Sequence, residues 1–212
     1  MLFELPKLYP ITDRRLSGLS HAEQVARLCE GGARVVQLRE KHLSPREFFR
    51  EAEAALKVAR ARGARLIIND RADIALAVGA DGVHLGQDDV PALAARALLG
   101  DGAIIGFSTH GPEQAAVAAR LPVDYVAIGP VFATSSKENP DPSVGLEGIA
   151  CAREAVGRLP LVAIGGMSLE NAPSVTSAGA DAVAVIGALL VADPAEITRR
   201  TRDFLARLRA RA

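Results

Sequence analysis

The sequence predicts an α/β fold, a single (β/α)8 TIM barrel domain over residues 1–212, and three observations carry this prediction. Eight short apolar runs alternate with longer stretches of helical spacing. The runs are apolar almost throughout, which is typical of parallel strands covered on both faces. Eight strand–helix units in 212 residues fit a barrel near the short end of its size range. The alternative is an open doubly wound sheet, but PITD (10–13) lacks the glycine-rich fingerprint expected after its first strand.

The elements follow in order along the chain. The predicted strands are LYPIT (8–12), VVQLR (35–39), LIIND (66–70), GVHLG (82–86), AIIGFS (103–108), YVAIG (125–129), LVAIG (161–165) and AVAVIG (182–187). Stretches rich in Ala, Glu, Arg and Leu lie between them, and we expect these to be helices. Ser20 and Ser168 each precede a helical pattern, as N-caps do. Gly79 and Gly179 end helical patterns, where left-handed C-caps favour glycine.

The composition excludes several classes of protein. Lys plus Arg total 25 and Asp plus Glu total 25, so the formal net charge of +0 favours neither nucleic acid nor membrane as a partner. No apolar run reaches the ~18 residues of a membrane span. The N-terminus lacks a secretory pattern, and we expect a cytoplasmic protein. We expect Cys29 and Cys151 to be buried free thiols and the Arg-rich stretch 199–211 to be a solvated helix face.

Charged side chains collect at the carboxyl ends of the predicted strands, the face on which barrel enzymes build active sites. Arg39 and Lys41 follow strand 2, and Lys137 follows strand 6. Asp70 and Asp89 follow strands 3 and 4. Arginine and lysine bind phosphate, and Mg²⁺ is typically held by one or two carboxylates plus phosphate oxygens. The set predicts Mg²⁺ on the two aspartates, bridging a polyphosphate to the cations. We expect no comparable polar collection at the opposite strand ends.

A second set of candidate binding residues, all uncharged, follows predicted strands 6, 7 and 8. Gly166 and Gly187 leave backbone N–H groups accessible near helix starts, a common place for one phosphate group in a barrel. Thr134 and Ser136 add hydroxyl donors from the loop after strand 6. The loop 133–148 is rich in Pro, Asp, Asn and Ser, and its length is typical of a functional lid. The alternative is a disordered insertion.

Each acidic or basic candidate has a plainer interpretation. Asp70 is also a suitable N-cap for the next helix, and either Asp88 or Asp89 suits the helix after them; we favour Asp89 for the metal. Arg39 and Lys41 have Glu40 and Glu47 as alternative salt-bridge partners.

The four histidines divide by position. We expect His84 to be a core histidine in the layer between helices and strands, and His21 and His42 to be surface or cap residues. His110 ends strand 5 at the predicted mouth, where general acid–base work is an option.

Seven motifs in this order resemble the thiamine-phosphate synthases (thiamine-phosphate pyrophosphorylases) over essentially the whole chain. They are QLREK (37–41), IINDR (67–71), GVHLGQDD (82–89), GFSTH (106–110), GPVFATSSKENP (129–140), GLEG (145–148) and AIGGM (163–167). The resemblance implies a (β/α)8 transferase that requires Mg²⁺. It joins 4-amino-2-methyl-5-hydroxymethylpyrimidine diphosphate to a thiazole phosphate, giving thiamine monophosphate and pyrophosphate. The implied mechanism is dissociative, with pyrophosphate leaving before the thiazole nitrogen attacks.

The resemblance also implies residue roles. The residues implied to bind the pyrimidine diphosphate are Gln37, Leu38, Arg39, Glu40, Lys41, Asn69, Ser108 and Lys137, of which Arg39, Lys41, Ser108 and Lys137 are implied to be catalytic. Those implied to bind the thiazole phosphate are Thr134, Ser135, Ser136, Gly166, Ile186 and Gly187. Asp70 and Asp89 are implied to bind Mg²⁺. The partners are then small phosphorylated molecules, and a homo-oligomer is an option.

The chain departs from the family pattern at Gly187, where many members have serine, and at Ser136, which replaces a common threonine. The first change removes a hydroxyl donor to the thiazole phosphate. Two alternatives stay open: the related thiazole tautomerase, in which the histidine matching His110 transfers protons, and a non-catalytic barrel that binds a phosphorylated ligand. Asp70, Asp89 and the cations favour the synthase, because a tautomerase does not need a diphosphate site.

Overall fold

A computed structural model describes residues 4–134 and 141–209 and contains a closed barrel of eight parallel strands, which confirms the predicted fold class. The elements are β1 (Leu8–Thr12), α1 (Arg14–Ser17), α2 (His21–Glu30), β2 (Val35–Leu38), α3 (Pro45–Ala61), β3 (Arg65–Asn69), α4 (Ala72–Val78), β4 (Gly82–Leu85), α5 (Ala92–Leu99), β5 (Ile104–Thr109), α6 (Pro112–Ala118), β6 (Tyr125–Ile128), α7 (Gly145–Val156), β7 (Leu161–Ile164), α8 (Ala172–Ser177), β8 (Ala182–Val185) and α9 (Pro194–Arg209). Each strand pairs with its sequence neighbours, and β8 closes on β1.

Two apolar cores follow from the alternation of side chains along each strand. On β4, Val83 and Leu85 pack outward in the layer between strands and helices. On β6, Tyr125 and Ala127 point inward and pack inside the barrel. Because both faces are buried, each strand is apolar at nearly every position, which is why the eight runs could be recognised in the sequence.

The predicted helix caps are confirmed except at Ser168. Ser20 makes a capping box with Glu23 at the start of α2, as predicted for Ser20. Gly79 and Gly179 adopt positive φ angles of 70° and 117° at the ends of α4 and α8. The expectation for Ser168 was wrong in detail, because it bonds with Asn171 across a turn and α8 begins only after that turn.

The amino ends of the strands carry more polar structure than the sequence led us to expect. Asp81, Asp124 and Asp181 precede β4, β6 and β8, and each accepts a backbone N–H from the first or second residue of the preceding strand at 2.7–2.8 Å. Arg96 and Arg153 pair with the second and third of these aspartates and also donate to loop carbonyls. These bonds tie neighbouring strands together at the bottom of the barrel, so the prediction that these ends lack a polar collection was wrong.

The surface expectations are partly confirmed. Cys29 is buried but Cys151 is exposed, so the prediction of two buried thiols was wrong for Cys151. On α9, Arg199 is exposed and pairs with Glu196 and Asp203, as expected of a solvated face. Helix α7 begins at Gly145, so the last part of the predicted loop 133–148 is helical. None of the helices in the described ranges is long and apolar enough to cross a membrane.

Candidate active site

The carboxyl ends of β1, β2 and β3 bring two cations and two carboxylates together. Arg39 Nη1 lies 2.9 Å from Asp13 Oδ2, and Lys41 Nζ pairs with Asp70. The alternative pairings with Glu40 or Glu47 are therefore wrong. All four side chains are accessible to solvent to some extent, which leaves both cations able to exchange their present partners for a ligand.

Asp70 and Asp89 lie beside each other at the ends of β3 and β4, close enough for the Asp70 carboxylate to act on the pKa of Asp89. Asp70 has a left-handed backbone, with a φ of 63°, and its N–H donates to the His84 carbonyl at 2.7 Å. Asp89 Oδ2 accepts the N–H of Gly86 at 2.6 Å. Burial and the neighbouring Asp70 carboxylate raise the pKa of Asp89. Two neighbouring carboxylates repel one another unless they share a proton or a cation.

The capping interpretations of these aspartates are wrong. The N-cap of α4 is Arg71 and that of α5 is Pro91, and neither helix receives a side-chain cap bond. Asp88 is exposed, whereas Asp89 turns inward. Within residues 4–134 and 141–209, no group of three or more His, Cys, Asp or Glu side chains is arranged to hold a metal ion. Two carboxylates are the number of protein ligands that Mg²⁺ typically takes when phosphate oxygens and water supply the others.

Five polar side chains form a continuous hydrogen-bonded chain inside the barrel, below the carboxylates. We call them the barrel floor: Gln37, Tyr9, Tyr125, His84 and Ser108. The two tyrosine hydroxyls are 2.7 Å apart, and Gln37 donates to the first of them at 3.4 Å. His84 joins the Tyr125 hydroxyl at 3.0 Å and Ser108 Oγ at 2.8 Å. His84 was expected in the helix–strand layer, but it points into the barrel instead.

The barrel floor is uncharged at neutral pH. Burial lowers the pKa of His84 to about 4, against a small opposing effect of Asp70. Burial also raises the pKa of Tyr9 to about 12 and that of Tyr125 well above its usual range. Gln37 and Ser108 carry no charge. The site therefore has a charged rim and a neutral, hydrogen-bonding interior.

The lowered pKa of His84 predicts a pH dependence of stability. The unfolded chain binds a proton near pH 6.5 and the folded protein only near pH 4, so stability is lost as pH falls between these values. We expect a loss of about 2 kcal/mol between pH 7 and pH 5 from this group. Urea unfolding of the wild type and of His84→Gln at both pH values measures it. The variant is expected to lack this share of the slope, and equal slopes would contradict the assignment.

The remaining residues implied to bind the pyrimidine diphosphate divide between the two faces of the barrel. Asn69 is buried at the end of β3, in register with His84. The Leu38 side chain packs outward against the helices, so only its backbone is available to a ligand. Glu40 turns its carboxylate back into its own loop. Lys137 lies outside the described residues.

The ends of β7 and β8 form the uncharged part of the mouth. Gly166 has a φ of 64°, and a Cβ there would lie 2.6 Å from the Ala133 carbonyl, so this close approach requires glycine. Ile186 accepts N–H bonds from Leu189 and Leu190 in a single turn, and Gly187 is exposed at its start. Thr134, which follows Ala133 in the sequence, is half-buried. Ser135 and Ser136 lie outside the described residues.

His110 joins two loops at the mouth. Its ring Nδ1 lies 2.7 Å from the Gly129 carbonyl oxygen and 3.5 Å from Asp141 Oδ2. The backbone N–H of His110 donates to Gln114 Oε1. Because the Gly129 carbonyl oxygen can only accept a hydrogen bond, His110 Nδ1 carries the proton and donates it. The acid–base role of His110 stays a prediction.

A family model described as thiamine monophosphate synthase matches residues 8–189. The chain belongs to this family. This finding agrees with the resemblance stated from the seven motifs, and the match spans all eight strands.

Two curated relatives and one solved structure place the chain firmly within the family. The thiamine-phosphate synthase of Chloroflexus aurantiacus is 44% identical over 201 residues, covering 94% of this chain and 91% of that protein. The one from Chlorobium luteolum is 48% identical over 196 residues, covering 92% and 91%. A structure described as thiamine phosphate pyrophosphorylase from Pyrococcus furiosus is 36% identical, covers 96% of each chain and superposes with a TM-score of 0.86.

Against this family background, three polar residues near the site were missed by the sequence interpretation. Tyr9 and Tyr125 are the two tyrosines of the chain, and both belong to the barrel floor. Their scarcity was the available signal. His21, expected to be a surface or cap residue, is fully buried beside Glu40. His42 is exposed and contacts Arg15, as expected of a surface residue.

Proposed function

We propose that this protein is a thiamine-phosphate synthase, a transferase that joins 4-amino-2-methyl-5-hydroxymethylpyrimidine diphosphate to a thiazole phosphate and releases pyrophosphate. The observation that carries the proposal is the meeting of Asp70 and Asp89 with Lys41 above a neutral barrel floor, in a chain of this family. A diphosphate needs the charged rim, and a pyrimidine ring needs the neutral interior. Location in the cytoplasm and assembly into a homo-oligomer stay predictions.

The cations act on the leaving group. In a dissociative substitution the C–O bond breaks first, and negative charge accumulates on the departing pyrophosphate. Arg39 supplies forked donors and Lys41 a point charge close to the carboxylate pair, and Lys137 is proposed to join them. The diphosphate group carries more negative charge in the transition state than in the intact substrate. These fixed positive charges therefore stabilise the transition state more than the bound substrate.

Asp70 and Asp89 are proposed to hold Mg²⁺. Bound there, the metal ion would supply positive charge to the diphosphate oxygens. The pairing of Lys41 with Asp70 places an ammonium group beside the proposed metal site. Both positive groups would then serve the same diphosphate.

The barrel floor is proposed to receive the pyrimidine. Gln37, Asn69 and Ser108 offer hydrogen-bonding groups from inward-facing or buried positions on β2, β3 and β5. A protonated His84 would repel a pyrimidine that becomes cationic as pyrophosphate leaves. Since burial keeps His84 neutral, the floor binds the ring without opposing the development of positive charge.

The thiazole phosphate is proposed to bind at the ends of β6, β7 and β8. The first N–H groups of the turn after Ile186 have no partner within that turn and are suited to an anion. Gly166 adds backbone close to the same region. The residues proposed to surround this phosphate are Thr134, Ser135, Ser136, Gly166, Ile186 and Gly187. Gly187 offers no hydroxyl, so phosphate binding there depends on backbone donors.

Release of pyrophosphate by the purified protein tests the proposal. We expect release only with both substrates and Mg²⁺, and loss of at least ~100-fold of the rate with EDTA, restored by excess Mg²⁺. Folded protein that releases no pyrophosphate would overturn it. Interconversion of thiazole carboxylate phosphate isomers would then favour the tautomerase and make His110 the residue to test. Tight binding without any turnover would favour a binding module.

A further inference from the structure

The segment 39–43, here called the cation loop, is folded around one carboxylate. It carries Arg39 and Lys41 on either side of Glu40. The Glu40 side chain is only 7% exposed. Its Oε1 accepts the backbone N–H groups of Lys41 at 2.8 Å, His42 at 2.7 Å and Leu43 at 3.3 Å. A carboxylate that accepts several N–H groups fixes the backbone that supplies them. The position of Lys41 is therefore set by Glu40.

The second Glu40 oxygen leaves the loop and reaches a buried histidine. Oε2 lies 3.2 Å from His21 Nε2, and the His21 side chain has no exposed surface. His21 Nδ1 lies 2.7 Å from Thr12 Oγ1. Since a carboxylate only accepts, Nε2 carries the proton and Nδ1 accepts from the Thr12 hydroxyl. Thr12 Oγ1 in turn accepts the N–H of Arg39 at 3.4 Å. Both cations are thereby connected to one buried chain.

The charge states agree with this arrangement. Burial lowers the pKa of His21, which keeps the ring neutral, while Glu40 and Glu51 act in the opposite direction. Burial acts to raise the pKa of Glu40, but the N–H groups of His42 and Leu43 and the ring of His21 lower it below its usual range. Glu40 is therefore ionised in its hydrogen-bonded position.

Glu40 is poorly suited to contact the diphosphate itself. One oxygen is surrounded by three N–H groups and the other faces His21, so neither is directed at a ligand. A carboxylate beside a diphosphate would also repel it. The neighbours Arg39 and Lys41 pair outward, with Asp13 and Asp70.

We propose that Glu40 and His21 are positioning residues, which hold Arg39 and Lys41 where the diphosphate binds without touching the substrate. This inference rests on the proposed function for the identity of the diphosphate. Small displacements of groups that bind a leaving group cost large factors in rate. The buried carboxylate of Glu40 and the buried imidazole of His21 therefore serve to fix the geometry of the cation loop.

The test compares Glu40→Ala, Glu40→Gln and His21→Phe with Glu47→Ala as the matched control. Glu47 is also a loop-facing glutamate, accepting the Ser44 N–H at 3.0 Å, but it caps α3 and does not hold the cations. Steady-state kinetics give kcat and KM for each substrate, and calorimetry gives the affinity for inorganic pyrophosphate with Mg²⁺ present. Thermal unfolding is followed in parallel.

We expect Glu40→Ala to lower kcat by about 100-fold and pyrophosphate affinity by about 20-fold, with the KM for the thiazole phosphate changed less than about two-fold. Glu40→Gln is expected to recover most of both, because its amide oxygen still accepts the loop N–H groups. His21→Phe should add less than about two-fold in the Glu40→Ala background, since the two act as one unit. Glu47→Ala should lower only the Tm.

Three results would overturn the proposal. One is a Glu40→Ala protein that loses stability but keeps kcat and pyrophosphate affinity. Another is an equal loss at the thiazole phosphate, which indicates general damage. A third is a Glu40→Gln protein as impaired as Glu40→Ala, which indicates direct contact between the carboxylate and substrate. If Glu40→Ala fails to fold, His21→Phe in the wild-type background carries the test: lower kcat and pyrophosphate affinity are expected, and wild-type values of both would overturn the proposal. If the wild type shows no turnover, the proposed function fails, while pyrophosphate affinity still tests the positioning role.

Discussion

Asp89→Asn is expected to lower the rate of pyrophosphate release by about 1,000-fold, equivalent to about 4 kcal/mol of transition-state stabilisation, whereas Asp88→Asn should change it less than about two-fold. Asp89 turns inward, accepts the Gly86 N–H and lies beside the Asp70 carboxylate. Asp88, its neighbour in sequence, is exposed. The asparagine keeps an acceptor for Gly86, so the change removes mainly the negative charge that the proposed Mg²⁺ requires.

The comparison is made by measuring initial rates over a range of Mg²⁺ concentrations. Asp89→Asn should need far more Mg²⁺ for half-maximal rate, while Asp88→Asn follows the wild-type curve. Calorimetric binding of Mg²⁺ with pyrophosphate gives a second readout that is independent of turnover. If Asp88→Asn is the impaired protein, or if both are impaired equally, the assignment of the pair is wrong.

The barrel and the carboxylate pair could be predicted because both depend on local sequence. A strand buried on both faces is apolar at nearly every position, and this pattern is visible over four or five residues. Asp70 and Asp89 each end such a run, so the fold places them at one edge whatever the details of packing. The order of strands in a (β/α)8 barrel then makes them neighbours, as the pairing of β3 with β4 shows.

The direction of the His84 side chain could not be predicted, because its strand is also apolar on both faces. In a run such as GVHL, apolar residues occupy both faces, and the alternation that distinguishes inside from outside is lost. The partners of His84 lie 24 and 41 residues away, at Ser108 and Tyr125. The barrel floor is therefore a property of the closed barrel, and no single segment of the chain contains its pattern.

Buried partners of surface-like residues were missed on similar grounds. Ser20–Glu23 is a capping box, and His21 within it looked like part of an exposed helix start. Its ring instead reaches Glu40, 19 residues further along the chain. Asp124 and Asp181 precede β6 and β8 at equivalent places, but the role of each became clear only from its bond to the preceding strand.

Gly106→Ala is expected to disrupt the barrel floor and destabilise the protein by about 3 kcal/mol, or roughly 10 °C in Tm. A Cβ at this position would lie 2.1 Å from Tyr125 Cζ and 2.5 Å from His84 Nδ1. Both rings are buried, and they stack with centroids 5.5 Å apart. Neither ring can yield without breaking the hydrogen bonds that join Tyr9 to Ser108.

Gly102→Ala is the matched control, because a Cβ at Gly102 meets no atom within 4 Å. It should leave Tm and activity within experimental error of the wild type. For Gly106→Ala, urea unfolding gives the stability, and kinetics on the fraction that stays folded gives the effect on the site. The KM for the pyrimidine diphosphate should rise more than that for the thiazole phosphate, since the floor is proposed to bind the pyrimidine alone. A Gly106→Ala protein with wild-type Tm and KM would show that the two rings move freely, and a rigid floor would then have no part in binding.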